Sequence, residues 1–292
     1  MNTLKVTFMM LALMLLFMWV GYLVGGQSGL IIAFVFAAGM NFVSYWFSDK
    51  IVLAMYRARQ VSESDHPRLF RVVKHIAAAA RMPTPKVYIV PSKGPNAFAT
   101  GRSPEHAAVA VTEGLLELLD ENELEGVVGH EFAHIVNRDM LVGTIAATFA
   151  GAIGMLASMA RWGAIFGGYG GRDNERSGGA IGLLVAAIVA PLAAMLIQMA
   201  ISRAREYKAD EAGGGFTGKY LPLASALDKL HRAPVKMRLD DRPATAHLMI
   251  ANPLSGKGLS SLFSTHPPAE KRIEKLRQLA QQSAYKGYAG AR

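Results

Sequence analysis

Two histidines four positions apart, with a glutamate beside the first, stand out for their chemistry: His130-Glu131-Phe132-Ala133-His134. On an α-helix, residues four apart share a face, so both imidazoles can reach one Zn²⁺ while Glu131 projects beside them toward a water. The metal would acidify that water and polarise a scissile carbonyl, with Glu131 taking the proton and later delivering one to the departing amine. That chemistry is peptide hydrolysis. The same five residues also occur on ordinary surface helices. Here, however, the three ionisable groups interrupt the apolar pairs Val127-Val128 and Ile135-Val136 a few residues before a long apolar run. Charged groups near hydrocarbon are costly unless paired or coordinated.

A hydrolytic zinc site takes a third protein ligand and leaves a position for water. The chain contains no cysteine, which removes thiolate ligands, thiolate nucleophiles and disulfides together. No third histidine lies close after His134, so a carboxylate from elsewhere is required. Glu206, Asp210 and Glu211 in SRAREYKADEAG are the leading acids. Glu206 and Asp210 share a helix face, so one can ligate while the other holds an imidazole N–H. The plain alternative for Glu206 is a surface pair with Lys208 or Arg205.

The elements that must position these residues are dominated by apolar windows. Of the 292 residues, 51% are hydrophobic. Four windows, Val6–Val24, Leu30–Phe47, Leu141–Met159 and Ile181–Ile201, hold no Asp, Glu, Lys or Arg. Each is long enough to cross roughly 30 Å of hydrocarbon as a helix. Lys5 precedes the first, but no small-residue cleavage site follows, so the first two read as a retained hairpin. Small residues in the third and Pro191 in the fourth are compatible with packed membrane helices. The expected organisation is a transmembrane hairpin at 1–48, the first part of a metallopeptidase domain at 49–140, a second hairpin with a short extracytoplasmic loop at 141–201, and the rest of the domain at 202–292.

Charge indicates the side. Asp49–Asp139 carries 11 Lys/Arg against 12 Asp/Glu, whereas Ser202–Arg292 carries 16 against 8, so the formal +9 resides almost wholly in the C-terminal section. A basic domain following a span fits the cytoplasmic face of an anionic bilayer. The same charge without a nucleic-acid-binding signature gives no nucleic-acid partner.

Between the apolar windows, local patterns give a helix over Pro67–Ala80 stopped by Pro83 and Pro85, then strands at Lys86–Val90, Asn96–Thr100 and Ala107–Thr112. A short helix at Glu113–Leu119 precedes the metal helix, which Asp120 or Asn122 would cap and which Leu124, Val127, Val128, Phe132 and Ile135 would bury. That helix could even join the Leu141 span. The segment after residue 202 reads as a helix broken at Gly213–Gly215 and resumed, the stretch Asp240–Pro253 as irregular, and Pro268–Ser283 as a terminal helix. The glycine-rich RWGAIFGGYGGRDNERSGG reads as a connector.

HEFAHIVNRDM, SRAREYKADEAG and STHPPAEKRI, in this order, resemble the HtpX family of membrane-bound zinc proteases, whose wider family includes CAAX-processing and mitochondrial stress proteases. The likeness extends over nearly the whole chain, PNAFATG included. It implies a mainly α membrane protein with four transmembrane helices and a cytoplasmic α+β zincin-type (Glu-zincin) metallopeptidase domain. It also implies one Zn²⁺ per chain on His130, His134 and Glu206, with Glu131 as general base. The location implied is the cytoplasmic inner membrane, multi-pass, with both termini and the catalytic domain cytoplasmic. The implied task is stress-response quality control: cleavage of misfolded or damaged membrane proteins, with self-cleavage and association with other quality-control components. Two intervening crossings would return the chain to the face it left, so a hairpin between His134 and Glu206 would not separate the ligands.

Further residues carry weaker expectations. Asp210 can orient a ligating histidine. His266 in the THPP stretch and Arg203 or Arg205 can stabilise a developing oxyanion or bind substrate, against a structural role or a surface ion pair. Asn137 and Asp139 can brace the metal helix. Asn96, Ala97 and Phe98 can line an edge where an extended substrate binds through its backbone, with Asn96 as a backbone contact. Alternatives are prenyl-protein processing, an intramembrane protease, a membrane chaperone that keeps the metal fold, and a transporter. The charge-free spans disfavour the last.

Overall fold

The computed structural model describes residues 2–142, 203–233 and 267–289. Most of the two later apolar windows, the glycine-rich loop, Asp240–Pro253 and His266 lie outside the described residues. The described residues divide into two compact units, one ending at Trp46 and one holding the residues from Phe47 onward.

The first unit is helix α1, Asn2–Trp46, interrupted by non-helical backbone at Gly25 and Gly26, where Gly26 has φ 57°. Only glycine enters this region without steric cost, and the interruption makes a pair of helical arms. The arms approach closely near the turn: a Cβ on Gly29 would lie 2.1 Å from the Gly21 carbonyl oxygen. Val6, Met9, Leu13 and Phe17 form a buried stripe at helical spacing, and Asn41 Nδ2 donates to the Met10 carbonyl at 3.2 Å. Phe8, Leu11, Leu15, Ile31, Ile32 and Val35 face outward. Gly25–Trp46 is long and apolar enough to cross a membrane, and Val6–Tyr22 is a shorter apolar helix.

The second unit begins with α2 (Ser48–Met55), followed by β1 (Arg59–Gln60), α3 (Pro67–Ala79), β2 (Lys86–Val90), β3 (Ala97–Gly101), a 3₁₀ turn at Pro104–His106 and β4 (Ala107–Thr112). Helices α4 (Glu113–Leu118), α5 (Glu121–Val136), α6 (Arg203–Thr217), α7 (Leu221–Arg232) and α8 (Ala269–Ala289) follow among the described residues. The strands form one sheet in the order β1-β2-β4-β3, with β2 and β4 parallel and the other two pairings antiparallel. The strand positions follow the sequence patterns closely. Helix α2 and the two-residue β1 were not expected from the sequence.

Side chains alternate across the sheet. Val87, Ile89, Ala97, Ala99, Val109 and Val111 face α3 and α5, whereas Val90, Phe98, Ala108 and Ala110 face Val52 and Leu53 of α2. The apolar stripe of α5, Leu124, Val127, Val128, Phe132 and Ile135, is wholly buried. Asp120 caps α5 in a reciprocal box: its Oδ1 accepts from Glu123 N at 2.9 Å, and Glu123 Oε2 accepts from Asp120 N at 2.9 Å. The α5 helix stops at Val136, and Arg138 then takes φ 56°, so it does not run straight into the apolar window after it.

One expectation is corrected. Helix α6 continues through Gly213–Gly215 to Thr217 and turns only at Gly218, φ 68°. The inner glycines serve close packing: a Cβ on Gly213 would lie 2.7 Å from His130 N, and one on Gly129 would lie 2.9 Å from the Gly213 carbonyl. Bare backbone at this crossing lets α6 lie against the His130 turn of α5.

Candidate metal centre

Helix α5 presents His130 and His134 on one face, with Nε2 atoms 3.2 Å apart and rings nearly perpendicular at 89°. Helix α6 brings Glu206 against both: one carboxylate oxygen lies 3.6 Å from His130 Nε2 and the other 3.6 Å from His134 Nε2. The three residues offer ligand atoms that all lie within 4.8 Å of one another. Two nitrogens bound to one tetrahedral zinc at about 2.0–2.1 Å stand about 3.3 Å apart, so the imidazole spacing fits an ion of that size. Two imidazoles and one carboxylate also leave one position of a tetrahedron open.

Behind each imidazole stands a carboxylate, and behind each carboxylate a guanidinium. His130 Nδ1 lies 3.0 Å from Asp210 Oδ1. Arg272 of α8 grips that aspartate with both ends of its fork, Nε to Oδ2 at 2.8 Å and Nη2 to Oδ1 at 2.6 Å, and reaches within 3.7 Å of Glu206. His134 Nδ1 lies 3.4 Å from Asp139 Oδ2, and Arg205 lies 3.6 Å from Asp139 Oδ1. With neutral imidazoles, the carboxylates of Glu131, Glu206, Asp210 and Asp139 outnumber the two guanidiniums by two charges, a balance that one divalent cation closes. Glu131 is buried at 6% exposure, and its Oε2 accepts the Ala99 backbone N–H at 2.9 Å.

Burial and partners reset the protonation of these groups. At His130, burial and the Arg272 charge press the imidazole pKa down, yet hydrogen bonds to Asp210 and Glu206 prevail and raise it to about 9. At Asp210, burial works upward but the Arg272 charge and its hydrogen bonds hold the carboxyl down at about 2. Burial raises the Glu131 carboxyl despite the neighbouring histidines, so it binds a proton more readily than an exposed carboxylate.

These features meet in a chain whose residues 63–280 match the model of Peptidase family M48. The chain belongs to peptidase family M48. Among its M48 relatives, a "Protease HtpX homolog" of Syntrophobacter fumaroxidans is 55% identical over 94% of this chain and 98% of its own length. One from Pyrococcus furiosus is 58% identical over 89% of this chain and 90% of its own, and one from Ralstonia pickettii is 51% identical over 97% and 99%. The crystal structure of S. mikatae Ste24p shares the fold, with a TM-score of 0.52 at 15% identity; the match covers 94% of this chain and 64% of that one. As an M48 protein the chain is a membrane-associated metalloprotease, and its His130, His134 and Glu206 group suits a metal ion.

The cluster gathers some of the sequence candidates and leaves others aside. His130, Glu131, His134, Glu206 and Asp210 converge. Arg205 joins through Asp139, which Arg138's left-handed turn folds back onto His134. Arg203 starts α6. Asn96 is buried, and its main chain is engaged by Thr112: its N–H donates to Oγ1 at 2.8 Å and its carbonyl accepts from Thr112 N at 2.9 Å. Phe98 points to the opposite sheet face, 5.0 Å from the Tyr56 ring, so its side chain packs the core behind the strand. The residue that sequence reasoning missed is Arg272, 1% exposed. It lies within the STHPPAEKRI stretch, but among Lys271, Lys275 and Arg277 nothing local distinguishes a buried arginine from solvated ones.

Proposed function

We propose that the chain is a zinc-dependent endopeptidase of the cytoplasmic membrane that hydrolyses peptide bonds in misfolded or damaged membrane proteins during stress-response quality control. The observation that carries this is the convergence of His130, His134 and Glu206 from two helices, with Glu131 buried on the same helix as the imidazoles. His130, His134 and Glu206 would hold one Zn²⁺ per chain. When bound, zinc acidifies water and polarises a carbonyl.

Glu131 takes a proton from the attacking water and passes one to the leaving amine. Its desolvated carboxyl binds that proton more readily than an exposed one. Asp210 fixes the tautomer and orientation of His130, and Arg272 keeps Asp210 ionised at depth. Ala99 N–H leaves the sheet on the side away from β4, so by strand alternation the main-chain groups of Ala97 and Gly101 point the same way. With the Ala99 donor taken by Glu131, an extended substrate would pair through Ala97 and Gly101 without regard to its side chains, which suits clients defined by misfolding.

Four spans, with both termini and the catalytic domain cytoplasmic, fit the four charge-free windows, the basic C-terminal section and the N-terminal helix pair. Confinement beside the bilayer raises the effective concentration of membrane clients. The same permissive recognition allows self-cleavage, and association with other quality-control components would deliver clients.

The test compares metal content and casein cleavage for detergent-purified wild type, Glu131→Gln and Glu206→Ala. Glu131→Gln should keep its zinc and lose cleavage by about 10²-fold or more, whereas Glu206→Ala should lose both. Cleavage by Glu131→Gln at the wild-type rate would end the reading.

A further inference from the structure

We infer that the Ala99 backbone N–H is the positioning group for the Glu131 carboxylate, so that strand β3 aims the general base as well as forming a sheet edge. This rests on the assignment of Glu131 made above. Ala99 N donates to Glu131 Oε2 at 2.9 Å, with Ala99 5% and Glu131 6% exposed. Among the described residues, β3 pairs only with β4, so this N–H lies on the side of the strand that no ladder uses. A buried donor there needs a partner, and Glu131 supplies it.

The strand is suited to hold that donor still, because it is tied at both ends and behind. At its start, Asn96 exchanges hydrogen bonds with Thr112. At its end, Gly101 takes φ 134°, and a Cβ there would lie 2.3 Å from the His106 carbonyl oxygen, so the chain closes tightly against the turn before β4. Behind Ala99, Phe98 is locked against Tyr56 and the α2 side chains. A carboxylate has two oxygens. With Oε2 fixed on a rigid main-chain donor, the other oxygen is left to face the reacting water with a set orientation. The imidazoles flanking Glu131 are braced by side chains, whereas the base is braced by a backbone N–H, which no substitution other than proline removes.

The decisive variant replaces the Ala99 amide by an ester, inserting lactic acid at position 99 by nonsense suppression in the full-length protein. It deletes one N–H and leaves the side chain in place. Ala99→Pro removes the same donor at an edge position where no ladder bond is lost, and Ala99→Gly, which keeps the N–H, is the control. All are compared, zinc-loaded in detergent, with wild type and Glu131→Gln. The ester variant should lose kcat about 10- to 100-fold with KM and zinc content within twofold of wild type, and Ala99→Gly, which keeps the N–H, should lose less than the ester. An unchanged kcat in the ester variant overturns the inference, as does a loss carried by KM or zinc content, or an equal loss in Ala99→Gly. Should Ala99→Pro fail to fold, the ester still decides. If Glu131→Gln is inactive while the ester is unaffected, only the positioning role fails; if Glu131→Gln remains active, the base assignment itself is wrong.

Discussion

His130 and His134 stand one turn apart on α5, and each has a carboxylate at its Nδ1 with a guanidinium behind it. Around His130 the contacts are short, 3.0 Å to Asp210 and then 2.6 and 2.8 Å to Arg272, and all three side chains are at most 2% exposed. Around His134 they are looser, 3.4 Å to Asp139 and 3.6 Å from Asp139 to Arg205, with the imidazole 16% and the arginine 14% exposed. The difference follows from where the parts originate. Asp210 and Arg272 come from α6 and α8, so the inner brace forms only when three helices meet. Asp139 lies five residues beyond its histidine, and a single left-handed residue places it. Burial strengthens a well-made ion pair and makes an incomplete one expensive, so the inner brace should carry stability as well as geometry.

The largest expected effect tests that asymmetry directly. Arg272→Met removes the guanidinium partner of Asp210 and leaves its buried charge, among the described residues, facing the His130 imidazole, while Glu206 loses a guanidinium 3.7 Å away. Breaking such a pair costs about 3–5 kcal/mol, a fall in Tm of roughly 10 °C for a domain of this size. Arg205→Met, at the looser brace, should cost under about 1 kcal/mol. Thermal unfolding of the two purified variants, measured by intrinsic fluorescence in one detergent, makes the comparison. Equal losses would mean that the two braces are energetically the same despite their geometry.

The two braces also differ in how far the sequence disclosed them. The HExxH spacing and the Glu206/Asp210 pair are helical periodicities, visible wherever a helix can be read, and the Asp120 cap and the strands at 86–90 and 107–112 are equally local. Asp139 was visible as a residue near the motif, but its contact with His134 depends on Arg138 adopting φ 56°, which composition does not announce. Arg272 meets Asp210 across 62 positions, and an arginine on a basic amphipathic helix gives no sign of being buried. The glycines of α6 misled for a related reason. Gly213 looks like a helix breaker until the backbone of His130 is found where its Cβ would be. Local rules describe the elements, whereas the site depends on which elements touch.

A smaller effect separates orientation of the ligands from stability. Asp210→Asn and Asp139→Asn each keep a hydrogen-bond acceptor and remove a charge from behind one imidazole. Zinc affinity, measured by competition with a chromophoric chelator, should fall about 10- to 100-fold in Asp210→Asn. In Asp139→Asn it should fall only a few-fold, because the longer contact and partial exposure leave solvent to screen the lost charge. A larger loss in Asp139→Asn would reverse the ranking and make the exposed imidazole the more dependent ligand.

The smallest effect appears only when the metal is gone. In the chelator-stripped protein, His130 has its pKa raised to about 9 from an ordinary 6.5, and Asp210 is held at about 2 against an ordinary 3.8. The histidine therefore contributes stability that is fully present below about pH 6.5 and is lost as pH rises through about 9. The aspartate contributes stability present above about pH 3.8 and lost as pH falls through about 2. Stripped wild type should accordingly lose about 5 °C or less of Tm between pH 6.5 and 9, and saturating zinc should flatten that slope, because ligation replaces the proton the imidazole would otherwise surrender. Asp210→Asn weakens the pull on that proton and should shrink the slope, whereas Asp139→Asn, which faces the other ring, should leave it in place. A slope that survives in Asp210→Asn, or that zinc does not alter, would place the titrating group outside the inner brace and dissolve the distinction between the two histidines at its most sensitive point.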